Sequence, residues 1–174
     1  KTTLFNVIAG EFPPTEGSVE LFGVDVTNKP ARARVPLGVT RTFQISRLFG
    51  GLSVADNLYV SIVGAEGGHL RPIRNAKDRV YQAQARELGD RVGLGGVLDE
   101  LVGALSHGEQ RQLEIGMALA GDPKLIMLDE PAAGLARAER VKLTEMLLGF
   151  DRSITMILIE HDMDVALTVA EHVT

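Results

Sequence analysis

The 174 residues are 45% hydrophobic and 24% charged, enough chain for one sizeable core and the make-up of a globular protein. Lys and Arg number 18 against 23 Asp and Glu, a net charge of −5, so the basic face of nucleic-acid binders is missing and no nucleic-acid partner is expected. The absence of cysteine excludes disulfides and thiolate metal centres. No apolar run approaches the roughly 20 residues of a membrane-spanning helix, and Lys1-Thr2-Thr3 does not open a signal sequence. Any role at a membrane is expected to run through a partner.

Leu4 to Ala9 reads as a helix stopped by Gly10, with Pro13 and Pro14 beyond it. Gly17 to Val26, rich in Val and Phe between glycines, predicts short antiparallel strands. Leu37 to Phe43 predicts another strand, which delivers Gln44 at its end. From about Leu52 to Leu105 the pattern turns helical. Ser53 with Asp56, and Asn75 with Asp78, have the spacing of capped helix starts. Val80, Ala83 and Leu88 suggest the buried side of the second of these helices. Gly67-Gly68 and Arg71-Pro72 mark the loop between them, and Gly93, Gly95 and Gly96 close the stretch. This region is expected to form a helical lobe on the main domain.

After Ser106 the pattern alternates. A helix from about Gly108 to Ala120 precedes the strand Leu125-Ile126-Met127-Leu128. A second, from Arg137 to Leu148, precedes the strand Thr155 to Ile159, and a last helix starts near Met163. Continuous apolar strands separated by helices predict an α/β fold with a parallel sheet covered on both faces.

Asp129 and Glu130 directly follow a buried strand, at the carboxyl edge where open α/β sheets bind ligands. One carboxylate suits a magnesium ion, and the other suits orienting or deprotonating a water. Taken alone, the pair equally suits an acidic loop. The next strand ends in Glu160-His161-Asp162, so parallel strands would bring His161 to the same edge, able to meet a phosphate oxygen or the attacking water. Ser106 followed by Glu109 is a capping box, which by itself explains both residues. A helix start also attracts phosphate through its free N–H groups. Lys1-Thr2-Thr3 matches only the tail of the phosphate-loop pattern G-x-x-x-x-G-K-[ST].

In order and separation these elements resemble the nucleotide-binding subunits of ABC transporters. Lys1 and Thr2 look like the end of the Walker A motif, and Gln44 looks like the Q-loop glutamine. LSHGEQ from Leu105 resembles the signature, LIMLDE from Leu125 resembles Walker B with its glutamate, and His161 resembles the switch histidine. The strings RTFQ, LDEPAAGL and IEHDM are similar to those of branched-chain amino-acid and urea-type importer ATPases. The resemblance implies a P-loop NTPase core over 1–48 and 106–174, with a small antiparallel β subdomain, and a helical ABC-type lobe over about 49–105.

It further implies ATP and Mg2+ as ligands. Lys1, Thr2 and Thr3 would meet phosphate, while Thr2, Gln44 and Asp129 would hold the metal. Glu130, His161 and Gln44 would serve catalysis, and Ser106 and Gly108 would contact the nucleotide of the opposite subunit. The implied partners are transmembrane permease subunits, a second ATPase subunit packed head to tail (identical or related) and, indirectly, a solute-binding protein. The implied place is the cytoplasmic face of the inner or plasma membrane. A soluble ABC ATPase unrelated to transport and a non-catalytic relative are the alternatives. The glycine-rich part of Walker A, its preceding strand and the adenine-stacking aromatic residue are expected before Lys1, and a further region is expected after Thr174. The 174 residues alone are therefore expected to hydrolyse ATP weakly or not at all. His107, Glu109 and Ala136 stand where the family commonly has Gly, Gln and Asp or Asn.

Overall fold

The computed structural model describes residues 2–42, 48–67 and 76–173. Helix α1 (Thr2–Ala9) buries Phe5 and Ala9, one turn apart. Gly10, at φ 85°, ends it. The carbonyls of Val7 and Ile8 at its close accept from Nη1 of Arg34, at 2.8 and 2.7 Å. Arg34 is only 1% exposed, and its other donors reach the carbonyls of Val26 and Lys29.

Strands β1 (Glu20–Leu21) and β2 (Val24–Asp25) pair antiparallel across Phe22 and Gly23, both at positive φ. The expected antiparallel strands are present, but shorter than the glycines suggest. Helix α2 (Ala31–Arg34) runs into a 3-10 turn, Val35–Leu37, and Gly38 at φ 89° turns the chain into β3 (Val39–Arg41). This corrects the start of the predicted strand: Leu37 belongs to the helical turn, and extension begins only after the left-handed Gly38. The predicted end of that strand at Phe43, and Gln44 after it, lie outside the described residues, as do Lys1, Asn75 and Arg71-Pro72.

Helix α3 (Val54–Ala65) starts at Ser53, whose hydroxyl accepts from the Asp56 N–H. Helix α4 (Ala76–Arg91) packs against it. The buried stripe of α4 differs from the expected one. Val80 is 54% exposed and Ala83 is exposed as well; Leu88 is buried as expected, and it is joined by Ala85 and by Val92 just past the helix end, at three- and four-residue spacing. Helix α5 (His107–Leu119), strand β4 (Leu125–Asp129), helix α6 (Arg137–Leu148), strand β5 (Thr155–Ile159) and helix α7 (Met163–Val169) complete the chain.

Strands β3, β4 and β5 form one parallel sheet in that order, with Arg41 opposite Met127 and Asp129 opposite Ile159. β4 is buried at every position. Alternation divides its side chains: Leu125 and Met127 pack with Phe5 and Ala9 of α1, while Ile126 and Leu128 join the cluster of Leu113, Leu143, Leu58 of α3, Leu88 of α4 and Val92 just after it. Asp129 continues the α1-facing parity. The helical stretch leaves and re-enters the main body at one point, where Ser53 bridges Leu101, Val54 N–H donates to Glu100 and Val102 N–H donates to Leu52. No helix among the described residues is long and apolar enough to cross a membrane.

Candidate active site

The parallel register sets the carboxyl ends of β4 and β5 side by side, and the polar residues that follow each strand meet there. Nε2 of His161 lies 2.9 Å from Oε1 of Glu130, with the His161 side chain 76% exposed. Asp129, its side chain 3% exposed, faces Arg41 from the end of β3, Nη2 to Oδ2 at 3.4 Å. Arg41 also donates from Nη1 to Oδ1 of Asn6 at 2.8 Å and stacks its guanidinium over Phe5. The arginine thereby links Asp129 to α1, on which Thr2 stands one turn before Asn6. Thr2 and Thr3 are exposed at the start of that helix. Asp129, Glu130 and His161 are thus brought together, as the sequence predicts.

Glu130 adopts φ 48°, a left-handed conformation that costs a non-glycine residue about 1–3 kcal/mol. The surroundings fix it from several sides. Its N–H donates to Ile159 O at 2.8 Å. Arg111, on α5, donates from Nη2 to the carbonyls of Asp129 and Glu130, at 3.0 and 3.1 Å, and from Nε to that of Pro131 at 3.1 Å. Glu160 accepts the Ala132 N–H on Oε1 and the His161 and Asp162 N–H groups on Oε2, stapling the two loops together. Asp162 in turn caps α7 and pairs with Arg140. The Val165 N–H, ahead of the Arg140 guanidinium, holds its carboxyl below the usual range.

Ser106 and Gly108 have their described bonds elsewhere. The Ser106 N–H and hydroxyl both donate to Oε2 of Glu109 at 2.8 Å, and the Glu109 N–H donates back to the Ser106 hydroxyl at 3.3 Å, which completes the predicted capping box. The negative charge of Glu109 is thereby turned back onto its own helix start. The Gly108 N–H donates to Oε1 of Glu139 at 3.0 Å, and Oε2 of the same carboxylate accepts the Ala136 N–H. These two backbone donors, Ala136 first, hold the Glu139 carboxyl below its ordinary value. Ala136 has no side-chain acceptor to return the bond, so only half of a capping box forms at α6. A cavity of about 320 Å³ opens between the α5 start and the Glu130 loop, lined by His107, Gln110, Arg111, Glu114, Asp129 and Glu130.

Arg41, Arg111, Glu139 and Glu160 escape a reading of the sequence. Each bonds across segments, Arg41 to the side chains of Asn6 and Asp129 and the other three mostly to backbone groups, and no local spacing announces that. Glu160, next to the histidine, is the one whose position gave a signal.

The donor chemistry fits a hard divalent cation and a phosphate chain. Asp129 and the Thr2 hydroxyl supply oxygen, and Arg41 offers the carboxylate a single long contact. Arg41 Nε and Thr42 Oγ1, buried at the same strand end, have no hydrogen-bond partner among the described residues.

Residues 1–133 match the family described as ABC transporter. The high-affinity branched-chain amino acid transport ATP-binding protein BraF of Pseudomonas aeruginosa is 33% identical over 185 aligned positions, covering 99% of this chain and 71% of the relative. LivG of Escherichia coli, of the same description, is 34% identical over 182, with the same coverage. Among solved structures, MJ1267, an ATP-binding cassette of an ABC transporter, superposes with a TM-score of 0.80 at 29% identity, covering 96% of this chain and 68% of that one.

Proposed function

The chain belongs to the ABC transporter family, and from that premise we propose that it is the ATP-binding, ATP-hydrolysing subunit of an importer for branched-chain amino acids or a related small polar solute. The relatives' description as branched-chain amino acid transport ATP-binding proteins supports the solute class. Its partners are then membrane permease subunits, a second ATPase subunit packed head to tail and, through the permease, a solute-binding protein. Its place is the cytoplasmic face of the membrane. The helical region of about 49–105 is the lobe that meets the permease, and 1–48 with 106–174 form the nucleotide-binding core.

One observation carries the catalytic reading: the Glu130 carboxylate and the His161 imidazole, 2.9 Å apart, stand at the ends of adjacent parallel strands beside the buried Asp129. Asp129, with Thr2 and Gln44, holds Mg2+, which supplies charge neutralisation to the phosphate oxygens. Lys1 and Thr3 bind the phosphates. Contact with His161 fixes one oxygen of Glu130, and the carboxylate orients the attacking water and accepts its proton. His161 also hydrogen-bonds the γ-phosphate, and Gln44 relays the nucleotide state to the lobe. Ser106 and Gly108 face the phosphate held by the opposite subunit. The roles of Lys1 and Gln44 rest on the family resemblance alone.

The test is Mg2+-dependent ATP hydrolysis by the full-length protein. Glu130→Gln is expected to lower kcat by about 10²–10⁴-fold, the usual contribution of a general base. A wild-type protein that binds ATP without turnover would instead favour a non-catalytic relative.

A further inference from the structure

Three successive carbonyls, those of Asp129, Glu130 and Pro131, are all bonded by one side chain, Arg111. Carbonyl dipoles gathered on one side of a turn repel one another, and a cationic donor offsets this with hydrogen bonds roughly twice as strong as neutral ones. Arg111 provides a planar fork whose Nε and Nη2 reach all three oxygens. Nη1 is pinned by Oε2 of Glu114 at 2.6 Å, and both side chains are only 13% exposed. A lysine, with its single ammonium on a flexible stem, cannot reproduce that fork. The gripped residue at the centre is Glu130, at φ 48°, and a side chain in that backbone conformation points where the turn sends it.

We propose that Arg111 is a positioning residue for ATP hydrolysis: it holds the turn that aims the Glu130 carboxylate, and it ties that turn to the start of α5. The proposal rests on the reading of Glu130 as the hydrolytic carboxylate. Arg111 never touches the nucleotide; it acts through Glu130.

Steady-state ATPase kinetics of the full-length protein, with nucleotide affinity and thermal melting measured alongside, decide the matter. Arg111→Met is expected to lower kcat by about 10²-fold, the scale of a misplaced catalytic group, while KM for ATP stays within about twofold. Arg111→Lys, which keeps charge and bulk, is expected to melt like wild type with an intermediate kcat, so the reading survives even if Arg111→Met fails to fold. The double variant Arg111→Met/Glu130→Gln is expected to be scarcely slower than Glu130→Gln alone, because both act on one step. A wild-type kcat in Arg111→Lys, an effect confined to KM, or fully multiplicative losses would each overturn the positioning role. If Glu130→Gln retained full activity, the assignment of Glu130 itself would fall. An inactive Glu130→Gln beside a fully active Arg111→Lys would remove only the role of Arg111.

Discussion

Asp129 is a charge withdrawn from water at the end of the central strand, and the cation described beside it is Arg41 at 3.4 Å. Removing that partner leaves the carboxylate with its desolvation uncompensated. Arg41→Met is expected to lower stability by about 1–3 kcal/mol, read as a shifted urea midpoint, and Asp129→Asn in the same background should recover much of it. Glu139 makes a different prediction. Its folded carboxyl titrates below the unfolded one because the Ala136 and Gly108 N–H groups donate to it. Its stabilisation is thus full above the ordinary glutamate range and drains away as acid titrates the folded carboxyl. Denaturation midpoints of wild type and Glu139→Gln should therefore differ near neutral pH and converge in acid; a gap that widened in acid would contradict the bond pattern. Among single residues, Asp129, Glu130 and His161 were legible because each follows an apolar strand, where polarity is conspicuous. Arg111 and Glu139 were not, since an exposed-looking charge on a helix declares nothing about carbonyls and N–H groups contributed by distant segments.

At the scale of elements, periodicity and caps did most of the work. Ser53 and Ser106 cap α3 and α5 as their spacing requires, and β4 and β5 are found where the apolar runs stand. The stripe on α4 misled because Val80 and Ala83 are apolar yet lie on the outward side, and the pattern that counts includes Gly89. Had Gly89 a Cβ, it would sit 2.3 Å from Cδ2 of Leu98 and 3.3 Å from Cδ1 of Leu58. Gly89→Ala gains about 1 kcal/mol of helix propensity, but crowding in a packed seam costs about 1–3 kcal/mol. The melting temperature is expected to fall, and a rise would show that Leu98 yields freely. A helical glycine that permits close approach reads, in sequence, like a weakness in the helix.

Over the whole molecule, the α5 start presents groups whose described partners are its own Glu109 and Glu139. In a head-to-tail pair a triphosphate competes for the Ser106 and Gly108 donors. Light scattering should find Glu130→Gln protein associating in MgATP, with a second copy or with the transporter's other ATPase subunit. Ser106→Arg in that background should keep it unassociated, and association that survived this change would contradict the pairing face. The α/β layout and the parallel sheet were readable from alternating helices and strands, but one feature of scale was not. The α3–α4 region shares a single hydrophobic cluster with the α5–α6 face of the sheet, while its chain enters and leaves through one cross-bonded neck at Leu52–Val54 and Glu100–Val102. Extra chain is then best accommodated on the outward side of α3–α4, since the inward side belongs to the shared core while the neck already closes the two ends together.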